Sequence, residues 1–192
     1  MMFWQPGQPV RINTERFVLR SLTPQDATER FAAWTADPEV SRFVNVPPRA
    51  VPPPDLLRFI QGHDNDRSFG IGIFDRASGL HIGLLNVNVD KQNRLATTDV
   101  MIGERDWWGA RVVLEARGAL YDFLFDTAGV EKICGLPLAG NNAAIFNYRA
   151  QGFRLEGLLR RHRLSWDGRT RLDQYQFGML REEWHARRKA RR

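Results

Sequence analysis

The sequence predicts an α+β domain of seven strands and four helices in the order β α α β β β α β α β β. Three observations carry the prediction. Over residues 68–104, three strand-like runs follow one another across short polar turns, the signature of an antiparallel meander. Over residues 109–126, Val112, Val113, Ala116, Ala119, Leu120, Phe123 and Leu124 keep the 3.6-residue period of a helix. The chain has 192 residues, 43% hydrophobic and 26% charged, which suits one folded domain with a full core.

The elements follow in order. Residues 1–13 form a polar lead-in. Arg16-Phe17-Val18-Leu19-Arg20 alternates and makes the first strand. Thr23 at an N-cap and Pro24 at the first helical position start a helix that runs to about Trp34, with Ala27, Phe31 and Trp34 inward. Asp37-Pro38-Glu39 is a turn with a short helical piece after it. Pro47, Pro48, Pro52, Pro53 and Pro54 make a rigid surface loop rather than a linker, because what precedes them is too short for a core of its own. Residues 55–60 are a short amphipathic helix. Strands follow at 69–74, 81–89 and 95–104, then the helix 109–126 and a short apolar strand at 131–138. A second long helix spans 141–151 and is closed by Gly152. Strands 153–163 and 171–180 flank the turn Trp166-Asp167-Gly168-Arg169.

Charge and composition exclude several function classes. The chain carries 28 basic and 22 acidic residues, a formal net charge of +6. Arg187, Arg188, Lys189, Arg191 and Arg192 supply five of the basic residues; without them the balance is 23 against 22. The excess is therefore assigned to a frayed basic tail, 187–192, behind a single near-neutral domain, 1–186. No nucleic-acid motif and no aromatic–basic interleaving is present, so a nucleic-acid partner is not expected. No run of eighteen apolar residues exists, so no transmembrane helix or membrane partner is expected. The start Met1-Met2-Phe3-Trp4-Gln5-Pro6 lacks the features of a signal peptide. The single Cys134 excludes a disulfide framework and fits a reducing, cytoplasmic setting. His63, His81, His162 and His185 are scattered without ligand spacing, so no metal is expected.

Two junctions can carry chemistry. At Ile102-Gly103-Glu104-Arg105-Asp106-Trp107-Trp108-Gly109-Ala110-Arg111 a strand ends and a helix begins. A helix N-terminus offers free N–H groups and a positive dipole end to a phosphate, and Gly109 lets backbone approach it. The same stretch also reads as a plain strand–turn–helix connection. At Pro137-Leu138-Ala139-Gly140-Asn141-Asn142 a helix opens on an Asn cap. Tyr148 lies two turns on, as a core residue or as a placed hydroxyl.

These residues resemble the GNAT superfamily of acetyl-CoA-dependent N-acetyltransferases. They are closest to the branch of ribosomal-protein N-terminal and spermidine acetyltransferases. Ile102-Gly103-Glu104, Trp107-Trp108-Gly109, Glu115-Ala116, Asn141, Tyr148 and Gly152-Phe153 fall at that branch's positions. The resemblance implies the GNAT fold: one mixed, largely antiparallel central sheet of about seven strands with about four helices. It implies acetyl transfer from acetyl-CoA to a primary amine in a ternary complex, the acceptor being a small molecule or a peptide. Met101, Ile102 and Gly103 would hold the pantetheine through their backbone. Gly109, Ala110 and Arg111 would hold the pyrophosphate, and Asn141 would position cofactor or substrate. Tyr148 would protonate the leaving thiolate, and Glu104 is the candidate base that takes the amine's proton. A homodimer is compatible with the resemblance.

One departure cuts against it. The family's phosphate turn is Gly-x-Gly or Gly-x-Ala, and here it is Gly109-Ala110-Arg111. Arg111 either swings out and adds a phosphate contact or fills the pocket. Leu114 and Ala144 also differ from their usual counterparts. The alternative to an enzyme is therefore a non-catalytic GNAT-fold binding module.

Overall fold

Phe17, Leu19 and Ser21 are buried on alternate positions of the first long strand, and the strand beside it is buried throughout residues 69–74, with Phe69, Ile71 and Ile73 on one face. Each of the buried Phe, Leu and Ile side chains contributes about 1.5–3 kcal/mol relative to exposure. The computed structural model describes residues 4–190, and these alternations organise it into one sheet.

Eight strands build the sheet: β1 (Arg11–Asn13), β2 (Phe17–Ser21), β3 (Ser68–Asp75), β4 (His81–Asp90), β5 (Leu95–Ile102), β6 (Lys132–Gly135), β7 (Arg154–Leu164) and β8 (Arg171–Leu180). Their order is β1-β2-β3-β4-β5-β6-β8-β7. Every neighbouring pair is antiparallel except β5–β6, which is parallel. Six α-helices accompany it: α1 (Glu29–Ala33), α2 (Pro38–Val44), α3 (Pro53–Gln61), α4 (Val112–Asp126), α5 (Asn142–Ala150) and α6 (Arg181–Ala190).

The counts of about seven strands and four helices are therefore corrected to eight and six. The extra strand lies in the polar lead-in, where Arg11–Asn13 pairs with Val18–Arg20 through backbone alone and needs no apolar pattern. The helix expected to run from Thr23 to Trp34 is broken. Asp26 folds back onto the Thr23 N–H and the Arg20 guanidinium, and Thr28 caps a fresh start at Glu29. Pro38–Val44 is a full helix capped by Asp37, longer than the piece expected there.

α6 changes the reading of the tail. Residues 187–190 continue this helix. Arg188 donates to Asp122 and Asp126 on α4, and Arg187 donates to the Ala150 carbonyl. Arg187 and Arg188 are thus held against the domain, while Lys189 is exposed. Arg191 and Arg192, and residues 1–3 on which the N-terminal reading rests in part, lie outside the described residues.

Two apolar clusters sit on the sheet. The larger contains Leu120, Tyr121 and Phe125 of α4, Tyr148 of α5 and Trp184 of α6. The smaller contains Phe31, Trp34, Val40, Leu56 and Ile60 from α1 to α3, packed against Leu84. Glu115 ties α4 to the sheet edge. Its carboxylate accepts from the Thr14 hydroxyl, the Arg16 N–H and the Arg16 Nε at 2.7, 2.9 and 2.7 Å.

Candidate active site

The parallel pairing of β5 with β6 lasts only from Leu95/Lys132 to Thr97/Cys134, and then the strands part. Pro137 follows β6 closely and has no N–H to continue a ladder. Instead the chain leans onto β8: the Tyr175 N–H donates to the Pro137 carbonyl at 3.0 Å and the Ala139 N–H to the Asp173 carbonyl at 2.9 Å. The result is a fork with an unpaired edge on β5.

Tyr148 sits at the apex of the fork. Its hydroxyl donates to the Thr98 carbonyl at 3.1 Å and accepts from Arg117 Nη2 at 2.9 Å. Its ring stacks on Phe177 with centroids 5.2 Å apart. A Cβ at Gly135 would overlap the phenol, so a glycine there makes the insertion possible. Burial raises the Tyr148 pKa, while the Arg117 guanidinium opposes that rise.

The unpaired edge can be assigned atom by atom. The Thr98 carbonyl points to the fork, and the Ile102 carbonyl on the same edge accepts from the Trp108 indole at 3.0 Å. The Met101 carbonyl faces β4, 2.7 Å from where a Gly83 Cβ would stand. Strand alternation then leaves the Val100 N–H and C=O as the open pair. Of the three residues expected to hold the pantetheine through their backbone, Ile102 shares the open edge with Val100, whereas the Met101 carbonyl and the Gly103 N–H face β4. Met101 lines the cleft and packs on the smaller core cluster. Ile102 packs on the larger core cluster. Gly103 donates its N–H to the Ile82 carbonyl at 3.0 Å, and any Cβ on it would strike the Trp34 indole.

Beyond the fork lies a cavity of about 430 Å³. α1 to α3 and the loop between the last two wall one side with Phe31, Phe43, Val51 and Phe59. The β6–α5 loop and the β7–β8 hairpin wall the other. Asn45, in the left-handed region at the end of α2, pins that hairpin: its Nδ2 donates to the Leu164 carbonyl and its Oδ1 accepts from the Trp166 N–H, both at 2.9 Å. Asn141 lines the cavity while its Oδ1 caps α5 through the Ala144 N–H at 3.0 Å.

Three charged residues line this space: Asp99, Arg117 and Arg163. Burial raises the Asp99 pKa, and Arg117 and Arg163 partly counter it. Arg117 is buried on α4 and was missed in the sequence. Its signal was there: it falls in the apolar stripe between Ala116, Leu120 and Tyr121, where a charged residue is out of place. Asp99, on the open part of β5, gave no signal beyond strand alternation.

Glu104 does not line the cavity. Its oxygens accept from Arg30 Nε and Nη2, and Oε1 also accepts from the Trp34 indole. The Arg30 hydrogen bond holds its carboxyl below the usual carboxylate value. A base must give up such pairing before it can take a proton, so this pairing speaks against the base role expected of Glu104.

The turn before α4 is open. Gly109 has φ +75° with nothing near its Cβ position, and Arg111 caps the helix in the left-handed region at φ +58°. Ala110 packs on the core. The Arg111 side chain is exposed. The first intrahelical bond runs from the Glu115 N–H to the Arg111 carbonyl, so the preceding amides lack helical partners. This cradle fits a phosphate group, and the open β5 edge fits an extended amide-bearing arm. Among the described residues, no group of three or more His, Cys, Asp or Glu could hold a metal ion. No helix among them is long and apolar enough to cross a membrane.

The family model of the acetyltransferase (GNAT) domain matches residues 16–154. No curated protein matches the chain by sequence. Among solved structures, a GCN5-related N-acetyltransferase from Brucella melitensis is similar over 97% of this chain and 87% of its own, at 21% identity and a TM-score of 0.80. A spermidine N-acetyltransferase from Vibrio cholerae, in complex with CoA and spermine, is similar over 90% of this chain and 99% of its own, at 17% identity and a TM-score of 0.78. A ribosomal-protein-S5-alanine acetyltransferase from Vibrio fischeri is similar over 91% of this chain and 98% of its own, at 16% identity and a TM-score of 0.71. At these identities the likeness is one of fold.

Proposed function

The chain belongs to the GNAT acetyltransferase family, and from that premise we propose that it acetylates the amino group of a small-molecule or peptide acceptor bound in the cleft beyond the β5–β6 fork. Acetyl-CoA supplies the acetyl thioester. The observation that carries the reading is the fork itself: an unpaired strand edge, with a tyrosine hydroxyl at its apex and a carboxylate lining the same cavity.

The residues divide the work as follows. The Val100 backbone pairs with the pantetheine arm, and the turn at Gly109, Ala110 and Arg111 with the amides of α4 receives the pyrophosphate. Asn141 lines the path between them. Asp99 replaces Glu104 as the base: it is the cavity's one lining carboxylate, and its raised pKa suits proton removal from an ammonium. Tyr148 supplies a proton to the departing sulfur. Arg117, touching the phenol oxygen, keeps that hydroxyl in place.

Charge narrows the acceptor. Arg117 and Arg163 outnumber Asp99, so a polycation such as spermidine is disfavoured relative to a monoamine or a peptide N-terminus. The non-catalytic alternative rests on Arg111 filling the phosphate turn; its exposed side chain favours the enzyme reading.

Calorimetric titration with acetyl-CoA, followed by thiol release across a panel of monoamines, peptides and polyamines, tests the proposal. Binding with turnover that collapses in Tyr148→Phe is the expected result. No binding at millimolar acetyl-CoA overturns it.

A further inference from the structure

Arg117 holds more hydrogen-bonding capacity than its surroundings use. It is 2% exposed, yet it lines the cavity. Nη2 donates to the Tyr148 hydroxyl, and the guanidinium lies 4.4 Å from the centre of that ring. Nε and Nη1 are buried and have no hydrogen-bond partner among the described residues. Buried guanidinium donors are otherwise almost always satisfied. The Asp99 carboxylate acts on Arg117 through its charge and makes no hydrogen bond to these two nitrogens. With Arg163 the lining charges sum to one net positive charge. Supporting Tyr148 needs one donor; it does not account for the other two.

We propose that Arg117 is the anchor for a ligand carboxylate in the cleft. A guanidinium presents paired N–H groups that match the two oxygens of a carboxylate, and in a buried site that pairing discriminates strongly against a neutral group. The carboxylate can come from two sources. It can end the acyl chain, as in the monothioester of a dicarboxylic acid. It can belong to the acceptor, as in an α-amino acid whose ammonium faces Asp99. In both cases the amine nitrogen forms the new bond to the acyl carbon and the carbon–sulfur bond breaks. Of the ammonium's two lost protons, one ends on the thiol and the other goes through the base to water. The carboxylate itself is unchanged. The inference rests on the acyl-transfer reading for its setting.

The test uses pairs that differ only in the carboxylate. Succinyl-CoA is compared with butyryl-CoA on one uncharged-bodied amine, and L-phenylalanine with phenethylamine on acetyl-CoA. Direct binding of L-phenylalanine and phenethylamine is followed by ligand-observed NMR without CoA. The expected result is a preference of about ten-fold or more for the carboxylated member in one arm. The first arm assigns it to the acyl group and the second to the acceptor. The ratio falls to about one in Arg117→Met and persists in Arg117→Lys. No preference in either arm of the wild type overturns the inference, as does a preference that survives in Arg117→Met. Should Arg117→Met not fold, the wild-type ratios decide alone. Should acetyl-CoA not bind, the acyl-transfer reading fails by itself, and direct binding still decides: stronger binding of L-phenylalanine than phenethylamine, or of succinyl-CoA than butyryl-CoA, supports the carboxylate anchor, and no preference in either pair overturns it.

Discussion

Arg30 clasps Glu104 in a two-pronged pair, Nε and Nη2 donating to the carboxylate oxygens at 2.7 and 2.6 Å, while the Trp34 indole adds a third bond at 2.8 Å. This clasp fastens α1 to the end of β5 and so fixes one wall of the cleft. It also separates two carboxylates that sequence position alone cannot tell apart. Glu104 is held ionised and engaged, whereas burial pushes Asp99 up toward a working proton acceptor. Asp99→Asn is expected to lower kcat/KM by about 100-fold or more, within the range a general base contributes. Glu104→Gln should lower it by less than about ten-fold, through loosening of the wall. In the wild type kcat/KM should rise with pH through a group titrating above the ordinary carboxylate range, because the base must be deprotonated to act. That limb should vanish in Asp99→Asn. Steady-state kinetics across pH check both variants, and the reverse ranking would restore Glu104.

The Tyr148 hydroxyl owes its position to the missing side chain of Gly135. Gly135 is paired with Phe177 of β8, and the residue before it is paired with both β5 and β8, so the backbone gives way poorly to a methyl group. Gly135→Ala should force the phenol off the Thr98 carbonyl and destabilise the fold by about 1–3 kcal/mol, as overpacking does. Turnover should fall about as far as in Tyr148→Phe. The double variant should be no slower than the worse single one, since both remove the same placed hydroxyl. Urea unfolding and turnover rates measure these together, and additive losses in turnover would refute the shared cause.

The elements that repeat a pattern were legible in the sequence: the meander from β3 to β5, the period of α4 and the closing hairpin of β7 and β8. The N-cap position of Asn141 and the shared helix face of Tyr148 were legible because a helix start and two turns of spacing fix where they point. What stayed hidden depends on contacts between distant segments. Glu115 was visible as part of Glu115-Ala116, but its job of holding Thr14 and Arg16 requires knowing that β2 ends beside α4. Gly103 looked like a site for the cofactor backbone, and the Trp34 ring that excludes a side chain there comes from almost seventy positions away. The helix over residues 24–34 failed for a local reason: Asp26 prefers the Thr23 N–H and Arg20 to continuing the turn.

Arg111 occupies a backbone position that suits glycine. A left-handed conformation costs a non-glycine residue roughly 1–2 kcal/mol. Its side chain is exposed, so little packing is lost on removal. Arg111→Gly should therefore raise stability by about 0.5–1 kcal/mol, the strain relieved less the entropy a glycine adds to the unfolded chain. If the exposed guanidinium assists the pyrophosphate, the same change should weaken CoA binding by several fold and flatten its salt dependence. Arg111→Asn, which tolerates the left-handed region but carries no charge, should match Arg111→Gly in affinity. Thermal unfolding and calorimetry at two salt concentrations decide it, and tighter binding by either variant would show that Arg111 obstructs the turn.

His81 sets a pH limit on the fold. It stacks on Phe74 at 4.6 Å, and the Phe31 and Trp34 rings lie 5.0 and 4.8 Å away. Its Nε2 is 3.0 Å from the Gly83 carbonyl, an arrangement the neutral ring satisfies by donating. Burial lowers its pKa to about 4, with Asp26 and Glu104 pulling the other way and Arg20 reinforcing the drop. In the unfolded chain the ring takes up its proton near pH 6.5. The unfolded state thus binds more protons between these values, and stability is full above about pH 6.5 and lost as pH falls toward 4. The loss amounts to about 3 kcal/mol at its fullest. Burial lowers the His63 pKa as well, so the contribution of His81 is read as a difference. Urea unfolding of the wild type and of His81→Phe, which keeps an uncharged ring in the cluster, should give curves whose separation shrinks or reverses as pH drops from 7 to 4.5. Parallel curves over that range would mean that His81 accepts its proton within the folded state.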